Sequence, residues 1–133
     1  TCASPAYLAR KGTPQTIADL STHDCIAFEG LYSSNSWNFG SGKLAANMPF
    51  RPRFAVNTAN GAIDAAKAGA GVARVLSYQV ADSLADGSLV LVLPEFQTDP
   101  LPVHLVHAGQ AILAQKLRAL TDFAATRLRA RLD

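Results

Sequence analysis

Apolar and polar positions alternate most regularly between residues 54 and 93, where short apolar runs are separated by amphipathic segments. The runs at residues 53–56, 72–76 and 89–93 have the length of strands. The segments between them carry apolar residues at helical spacing: Ala59, Ala62, Ile63 and Ala66 in the first, Val80, Ala81 and Leu84 in the second. This order predicts consecutive βαβ units and therefore an α/β fold on a parallel sheet with right-handed crossovers.

The two predicted strand-to-helix turns are polar. Asn57 and Thr58 follow the first strand, and Ser77 and Tyr78 follow the second. Ligands of such sheets bind outside the carboxyl ends of the strands, where helix N-termini present free N–H groups. Asn57 and Thr58 therefore form a candidate site for an anion or carboxylate, and Ser77 offers the same groups one strand over. The alternative is that these residues only cap their helices, a role worth about 1 kcal/mol each.

Weaker patterns predict the remaining elements. Ser4 and Pro5 are typical of the start of a helix, which would end at Gly12, and Thr16 predicts a second short turn through Leu20. The other predictions are a buried strand at residues 24–28, a strand, loop and strand within residues 31–47, a strand at residues 103–107 and a long helix at residues 112–131.

The composition is that of one globular domain. The chain has 133 residues, of which 49% are hydrophobic, enough for a core. A net charge of +2 gives no support for nucleic-acid or membrane-surface binding. The basic residues of the last helix lack the aromatic side chains of a nucleic-acid site. No apolar run approaches the roughly 18 residues of a membrane span. We expect Cys2 and Cys25 to be buried thiols in a reducing cytoplasm, with a disulfide as the alternative.

The sequence contains no motif of a catalytic centre. Gly-x-Ser-x-Gly and phosphate-loop motifs are absent, and Gly69-Ala70-Gly71 lies at the carboxyl end of its predicted helix, where glycines act as caps. His23-Asp24-Cys25 and the pair His104, His107 lack the spacing of a zinc site. We therefore expect no enzyme activity, metal or cofactor. Arg74, in an otherwise apolar run, is either an edge residue or a buried charge with a partner.

A series of short phrases, ordered along nearly the whole chain, resembles the C-terminal part of LysR-type transcriptional regulators. Each phrase alone is weak, but the ordered set is specific. The phrases are Ala3-Ser4-Pro5-Ala6-Tyr7-Leu8 with Gly12 and Pro14, Asp19-Leu20, His23-Asp24-Cys25-Ile26, Trp37-Asn38-Phe39, Phe54-Ala55-Val56-Asn57-Thr58, Ala62-Ile63, Ala68-Gly69-Ala70-Gly71-Val72, Ser77-Tyr78-Gln79-Val80, Leu84 with Gly87-Ser88-Leu89-Val90, and Lys116-Leu117-Arg118-Ala119-Leu120 with Asp122-Phe123.

The resemblance implies an effector-binding domain of the periplasmic-binding-protein type II fold, in which two α/β lobes enclose a cleft. On that template residues 1–97 form the second lobe, and residues 98–133 are a return strand and final helix that belong to the first. We expect the chain, which starts at Thr1 without a Met, to be a fragment that lacks the helix-turn-helix and the front half of the first lobe. With half the cleft absent, we expect weak effector binding. The return segment would dock on the remaining sheet or be exchanged between chains.

The resemblance also implies site residues. Effectors of the family lie between the lobes and contact strand-to-helix turns, which ranks Asn57 and Thr58 first as effector-binding residues. Phe28 and Glu29, after the strand that precedes the variable loop, are weaker candidates, together with Ser77. One departure from the family pattern is at Gln110 and Ala111, where a basic residue is common.

The implied function is effector sensing and oligomerisation within a cytoplasmic LysR-type regulator that has no enzymatic activity. Its partners would be a small-molecule effector, with a carboxylate as one candidate class, and further copies in a dimer or tetramer, with the Ala-rich helix as one candidate interface. DNA would bind only through the missing N-terminal domain, and no membrane would be involved. The alternatives are a solute-binding protein of a transport system with the same fold and an α/β enzyme.

Overall fold

The computed structural model describes residues 1–29, 36–42, 45–108 and 115–132. The chain forms two compact units, Thr1–Asp99 and Pro100–Asp133. The strands are β1 (Cys2–Ala3), β2 (Cys25–Phe28), β3 (Ser36–Phe39), β4 (Ala46–Pro49), β5 (Pro52–Val56), β6 (Val72–Ala73) and β7 (Val90–Leu91). The α-helices are α1 (Pro5–Lys11), α2 (Ala59–Lys67), α3 (Ser77–Ala85) and α4 (Gln115–Leu132), and 3-10 turns lie at Ile17–Thr22 and Pro94–Phe96.

The described part of the first unit is built on a five-stranded sheet with the order β5-β2-β6-β1-β7. β2 pairs in parallel with both β5 and β6, whereas β1 pairs antiparallel with β6 and β7. Within this sheet β2, β5, β6 and β7 therefore run in one direction and β1 runs in the other. Because α2 connects β5 to β6 and α3 connects β6 to β7, the predicted α/β fold with βαβ units and a mostly parallel sheet is confirmed.

Two strands are shorter than the apolar runs that predicted them. β6 covers Val72–Ala73 rather than residues 72–76, and β7 covers Val90–Leu91 rather than residues 89–93. The side chains of Val90 and Leu91 are 36% and 46% exposed. The residues that flank them are buried: Leu89, Val92 and Leu93. The run at residues 89–93 is therefore apolar because its end residues are buried in the core, on either side of a short edge strand. It is not a long strand that is covered on both faces.

Hydrophobic side chains pack on both faces of the sheet. Cys25 and Val72 belong to a cluster that includes Phe39 of β3. Ile26 and Ala73, the next residue of each strand, belong to a second cluster that contains the buried faces of α2 and α3. Since successive strand residues point to opposite faces, β2 and β6 are covered on both sides. Each large side chain buried in this way contributes about 1.5–3 kcal/mol.

α1 begins and ends as predicted. The Ser4 hydroxyl accepts a hydrogen bond from the Tyr7 N–H at 3.4 Å, and Pro5 occupies the first helical position. At the other end the Gly12 N–H donates to the Leu8 carbonyl at 2.8 Å.

Gly69 and Gly71 have different roles. Gly69, with φ 78°, follows the last turn of α2 and ends the helix, as predicted. A Cβ at Gly71 would instead collide with the Asp24 carbonyl oxygen, which accepts a hydrogen bond from the Val72 N–H at 2.8 Å. Gly71 is therefore needed for the close approach of β6 to the start of β2, so the prediction of a cap was wrong for this residue.

β3 and β4 form an antiparallel hairpin in which Trp37 lies opposite Met48. Both side chains are buried, whereas the Asn47 amide donates to the Asn38 side chain at 2.7 Å on the exposed side. The predicted strand, loop and strand are confirmed where the structure describes them, and residues 30–35 and 43–44 lie outside the described residues.

Both cysteines are buried free thiols, as predicted. β1 and β2 lie on either side of β6, so Cys2 and Cys25 are about 10 Å apart at the usual strand spacing, too far for a disulfide. Burial raises the pKa of the Cys25 thiol to about 12, with a further contribution from the Asp24 carboxylate.

The second unit contains α4, which confirms the predicted long helix over Gln115–Leu132. The predicted start at residue 112 and the pair Gln110, Ala111 lie outside the described residues. The predicted strand at residues 103–107 is wrong, because residues 100–108 form no helix or strand. Their apolar side chains are exposed: Leu101, Val103, Leu105 and Val106. Apolar alternation does not make a strand when no neighbouring strand accepts its backbone hydrogen bonds.

The apolar side chains of α4 are also largely exposed. Leu120 and Phe123 face solvent, and the Arg127 guanidinium lies 4.3 Å from the centroid of the Phe123 ring. Among the described helices, none combines the length and the apolar character needed to cross a membrane.

Candidate functional site

The carboxyl ends of β5, β2 and β6 meet at one edge of the sheet. β2 lies between the other two, so β5 and β6 are about 10 Å apart, two strand spacings, and Ser77 follows β6 after three further residues. The Glu29 N–H donates to the Val56 carbonyl at 2.9 Å, which continues the parallel ladder by one residue and holds Glu29 level with Asn57. The first unit therefore brings the predicted site residues to a single edge.

Thr58 is the N-cap of α2. Its backbone is extended, with φ −128° and ψ 145°, and its Oγ1 accepts a hydrogen bond from the Gly61 N–H at 3.1 Å. The side chain is exposed. Because the oxygen acts as an acceptor in the cap, the hydroxyl hydrogen remains available to donate to a ligand oxygen.

Asn57 precedes this cap and is exposed. Its side-chain amide forms no hydrogen bond with the described residues, so its two donors and its carbonyl acceptor face solvent. Together with the free N–H groups at the start of α2, Asn57 and Thr58 offer several donors to a ligand, as an anion site requires.

Phe28 and Glu29 differ in their surroundings. Phe28 is half-buried and packs against the hydrophobic cluster beneath α2 and α3, so it presents only part of its ring at the edge. Glu29 is exposed, and its carboxylate would repel an anionic ligand in the same place. For an anionic effector the geometry therefore favours Asn57 and Thr58 over Glu29.

Ser77 lies at the same edge but does not cap α3. The N-cap is Leu76, whose N–H donates to the Gln79 side-chain oxygen at 3.0 Å. Ser77 is the first helical residue and is exposed. The predicted cap was wrong because glutamine three residues after the N-cap can accept the N-cap N–H, as in the second half of a capping box.

Arg74 is a buried charge, which decides between the two possibilities that the sequence left open. Its side chain is 9% exposed, and its guanidinium carbon lies 4.6 Å from the centroid of the Phe39 ring. Arg74 immediately follows β6, and its guanidinium, a permanent positive charge, packs on Phe39 of β3. The sequence signal for it was the one charged residue within an apolar run.

The chemistry of this edge is that of binding. Hydroxyl, amide and backbone N–H groups recognise polar ligands by hydrogen bonding. The described residues hold no group of three histidine, cysteine, aspartate or glutamate side chains arranged for a metal ion. His23 and Asp24, considered above as ligands, instead contact Tyr7 and the pair Lys11, Arg53.

Comparison with known proteins identifies the family. The family described as LysR substrate binding domain matches residues 1–129, so the chain belongs to this family. It is 29% identical over 125 residues to a probable HTH-type transcriptional regulator, LtrA of Klebsiella pneumoniae, covering 92% of this chain and 40% of that protein. It is 30% identical over 124 residues to the HTH-type transcriptional regulator CrgA of Neisseria meningitidis, covering 91% of this chain and 40% of CrgA.

Solved structures agree with this assignment. The regulatory domain of AphB from Vibrio vulnificus superposes with a TM-score of 0.80 at 25% identity, over 95% of this chain and 62% of that domain. The regulatory domain of CrgA, a LysR-type regulator from Neisseria meningitidis, superposes with a TM-score of 0.66 at 28% identity, over 74% of this chain and 48% of that domain.

These relatives are transcriptional regulators, not enzymes, which favours the regulator over a transport solute-binding protein as the origin of this chain. The chain spans about 40% of the length of both curated regulators.

Proposed function

We propose that this chain is part of the effector-sensing and oligomerisation module of a LysR-type transcriptional regulator. The proposal rests on the position of Asn57 and Thr58 in a chain of this family. Both residues lie at the start of α2, on the carboxyl edge of the sheet. Free N–H groups and a hydroxyl donor suit an anionic group, so a carboxylate is the effector class we favour. Phe28, Glu29 and Ser77 complete the candidate site at its rim.

In this proposal residues 1–97 belong to the second lobe of the domain, and residues 98–133 return to a first lobe that supplies the other wall of the cleft. An effector that binds one arrangement of the lobes more tightly shifts the population toward it. The regulator, a cytoplasmic dimer or tetramer, then presents its separate DNA-binding domains differently, which couples effector binding to DNA binding.

The test uses the full-length regulator. A thermal-shift screen with small carboxylates and their neutral amides identifies compounds that stabilise the protein, since a ligand at 100 times its Kd adds about 2.7 kcal/mol to the free energy of unfolding. Each hit is then tested for its effect on DNA binding. We expect carboxylates among the hits, and we expect Thr58→Val to weaken their binding about tenfold through the loss of one hydrogen bond.

Two variants serve as controls. Thr58→Ser keeps both the hydroxyl donor and the helix cap and should retain effector binding, which attributes the loss in Thr58→Val to the hydroxyl. Thr13→Val makes the same substitution at an exposed site on the loop after α1 and should leave binding unchanged. If a compound that alters DNA binding raises the melting temperature of Thr58→Val as much as that of the wild type, Thr58 is not part of the site. If no compound alters DNA binding, the sensing function itself is wrong.

A further inference from the structure

A recess lies at the opposite edge of the sheet, where the parallel strands begin. It has a volume of about 370 Å³, within the range of small-ligand sites. Its walls come from the 3-10 turn Ile17–Thr22, the start of β2 and the link between β4 and β5. The lining residues are Leu20, Ser21, His23, Pro49, Phe50 and Arg51.

The floor of this recess is apolar and rigid. Leu20 is fully buried, and Phe50 is buried with its ring centroid 4.5 Å from that of Trp37. Pro49, at the end of β4, adds a third apolar surface. A floor of this kind favours a flat apolar body, because the contacts are already formed and nothing has to be ordered when a ligand binds.

His23 presents one N–H donor at this recess. The Tyr7 hydroxyl oxygen accepts the Asp24 N–H at 2.9 Å and lies 3.1 Å from His23 Nδ1. In the His23 tautomer that accepts the Tyr7 hydrogen at Nδ1, the ring proton lies on Nε2. Burial and the nearby Lys11 lower the pKa of His23, against opposing contributions from Asp19 and Asp24, so the ring is neutral at pH 7. Because Tyr7 is fully buried, its hydroxyl holds the His23 ring in place.

The charge at the rim is positive. Of the nearby carboxylates, Asp24 is held by Arg53 at 3.3 Å and by Lys11 at 3.8 Å, and Asp19 accepts the Gln15 and Thr16 N–H groups at 2.9 Å. Arg51 is exposed, lines the recess and forms no ion pair with any residue that the structure describes. The Ser21 hydroxyl donates to the Ala18 carbonyl at 2.7 Å, so Arg51 and the His23 Nε2–H are the donors that face a ligand.

We propose that this recess binds a small carboxylate with a flat apolar body, distinct from the effector at the carboxyl edge. The carboxylate would lie between the Arg51 guanidinium and the His23 Nε2–H, with its apolar body on Pro49 and on the accessible part of Phe50. A regulator built in this way has two anion-accepting edges on one sheet, one at each end of the parallel strands.

Benzoate is the probe, and benzamide, which has the same shape without the charge, is its control. Binding of both to the full-length regulator is measured by isothermal titration calorimetry. We expect benzoate to bind at least tenfold more tightly than benzamide, as a charge-assisted hydrogen bond provides. Arg51→Gln should remove about tenfold of the benzoate affinity. Lys67→Gln removes a positive charge from an exposed side chain at the end of α2, outside the lining, and should change the affinity less than twofold.

Three results would overturn the proposal. The first is a Kd of benzoate for the wild type above about 10 mM, an affinity too weak for a specific site. The second is an equal effect of Arg51→Gln and Lys67→Gln, which would indicate nonspecific attraction to the positive charge of the protein. The third is benzoate binding that Arg51→Gln does not weaken, which would locate the benzoate elsewhere. Thermal denaturation of both variants checks that each is folded, which is expected because both side chains are exposed.

Discussion

The Thr58 Oγ1 lies 3.1 Å from the Gly61 N–H, and this single hydrogen bond both caps α2 and orients the hydroxyl of the candidate effector site. A Cβ built on Gly61 would lie 2.9 Å from the same oxygen, closer than ordinary contacts allow. The cap and the absence of a side chain at residue 61 are therefore coupled, which has a measurable consequence.

We predict that the effect of Gly61→Ala changes sign with the residue at position 58. A glycine-to-alanine change in a helix usually raises the free energy of unfolding by about 0.4–1 kcal/mol. In the wild type the added methyl group displaces the Thr58 hydroxyl, and the lost cap, worth about 1 kcal/mol, outweighs this gain, so we expect a net loss of up to about 0.6 kcal/mol. In a Thr58→Ala background no oxygen is in the way, and Gly61→Ala should be stabilising.

Chemical denaturation of the four proteins in this double-mutant cycle provides the measurement. Equal effects of Gly61→Ala in the two backgrounds would show that the cap and the glycine are independent, and would contradict the coupling inferred from the 2.9 Å contact.

Tyr7 makes the second testable contact. Its hydroxyl oxygen accepts the Asp24 N–H at 2.9 Å and pairs with His23 Nδ1 at 3.1 Å. Tyr7→Phe leaves both groups without this partner in a partly buried place, so we predict a loss of about 1–3 kcal/mol in the free energy of unfolding. Tyr78→Phe removes the same oxygen from an exposed ring and should change stability by less than about 0.5 kcal/mol.

Denaturant unfolding of the two tyrosine variants compares them directly. A Tyr7→Phe protein as stable as Tyr78→Phe would mean that water replaces the phenolic oxygen without cost.

The depressed pKa of His23 predicts a pH dependence of stability. Burial, the largest cause, and Lys11 lower the pKa of His23 in the folded protein below the ordinary value of 6.5. The unfolded chain therefore binds a proton at a higher pH than the folded chain does. The contribution to stability is fully present above pH 6.5 and decreases as the pH falls below it, until the folded protein also takes up the proton.

Unfolding experiments between pH 7 and pH 5 measure this slope. We expect His23→Gln to flatten it, whereas His104→Gln, which removes an exposed histidine from the second unit, should leave it in place. A His23→Gln protein that keeps the wild-type slope would assign the pH dependence to other groups.

The local patterns of the sequence were sufficient to predict the elements whose causes are local. Ser4, Pro5 and Gly12 define α1 by capping and backbone preference. The spacing of Ala62, Ile63 and Ala66 defines the buried face of α2. The order of these segments along the chain then predicts the βαβ units, because a strand, a helix and a parallel strand pack in few ways.

Predictions failed or stayed open where a residue's partner lies far away in the sequence. The carbonyl that needs a glycine at position 71 belongs to Asp24, and the ring beneath Arg74 belongs to Phe39. Residues 103–107 have the alternation of a strand, yet a strand exists only where another strand pairs with it. The prediction for Ser77 failed for a local reason: serine commonly caps a helix, but here Leu76 is the N-cap and Gln79 accepts its N–H.

By itself, the sequence determined the α/β class, the two polar strand-to-helix turns and, through its ordered phrases, the resemblance to LysR-type regulators. Only the tertiary structure decided that Glu29 and Asn57 lie side by side, that Arg74 is buried against Phe39, and that His23 and Arg51 share a recess at the opposite edge. The physical reason is that capping and amphipathic periodicity act over a few residues, whereas strand pairing and burial depend on contacts between distant parts of the chain.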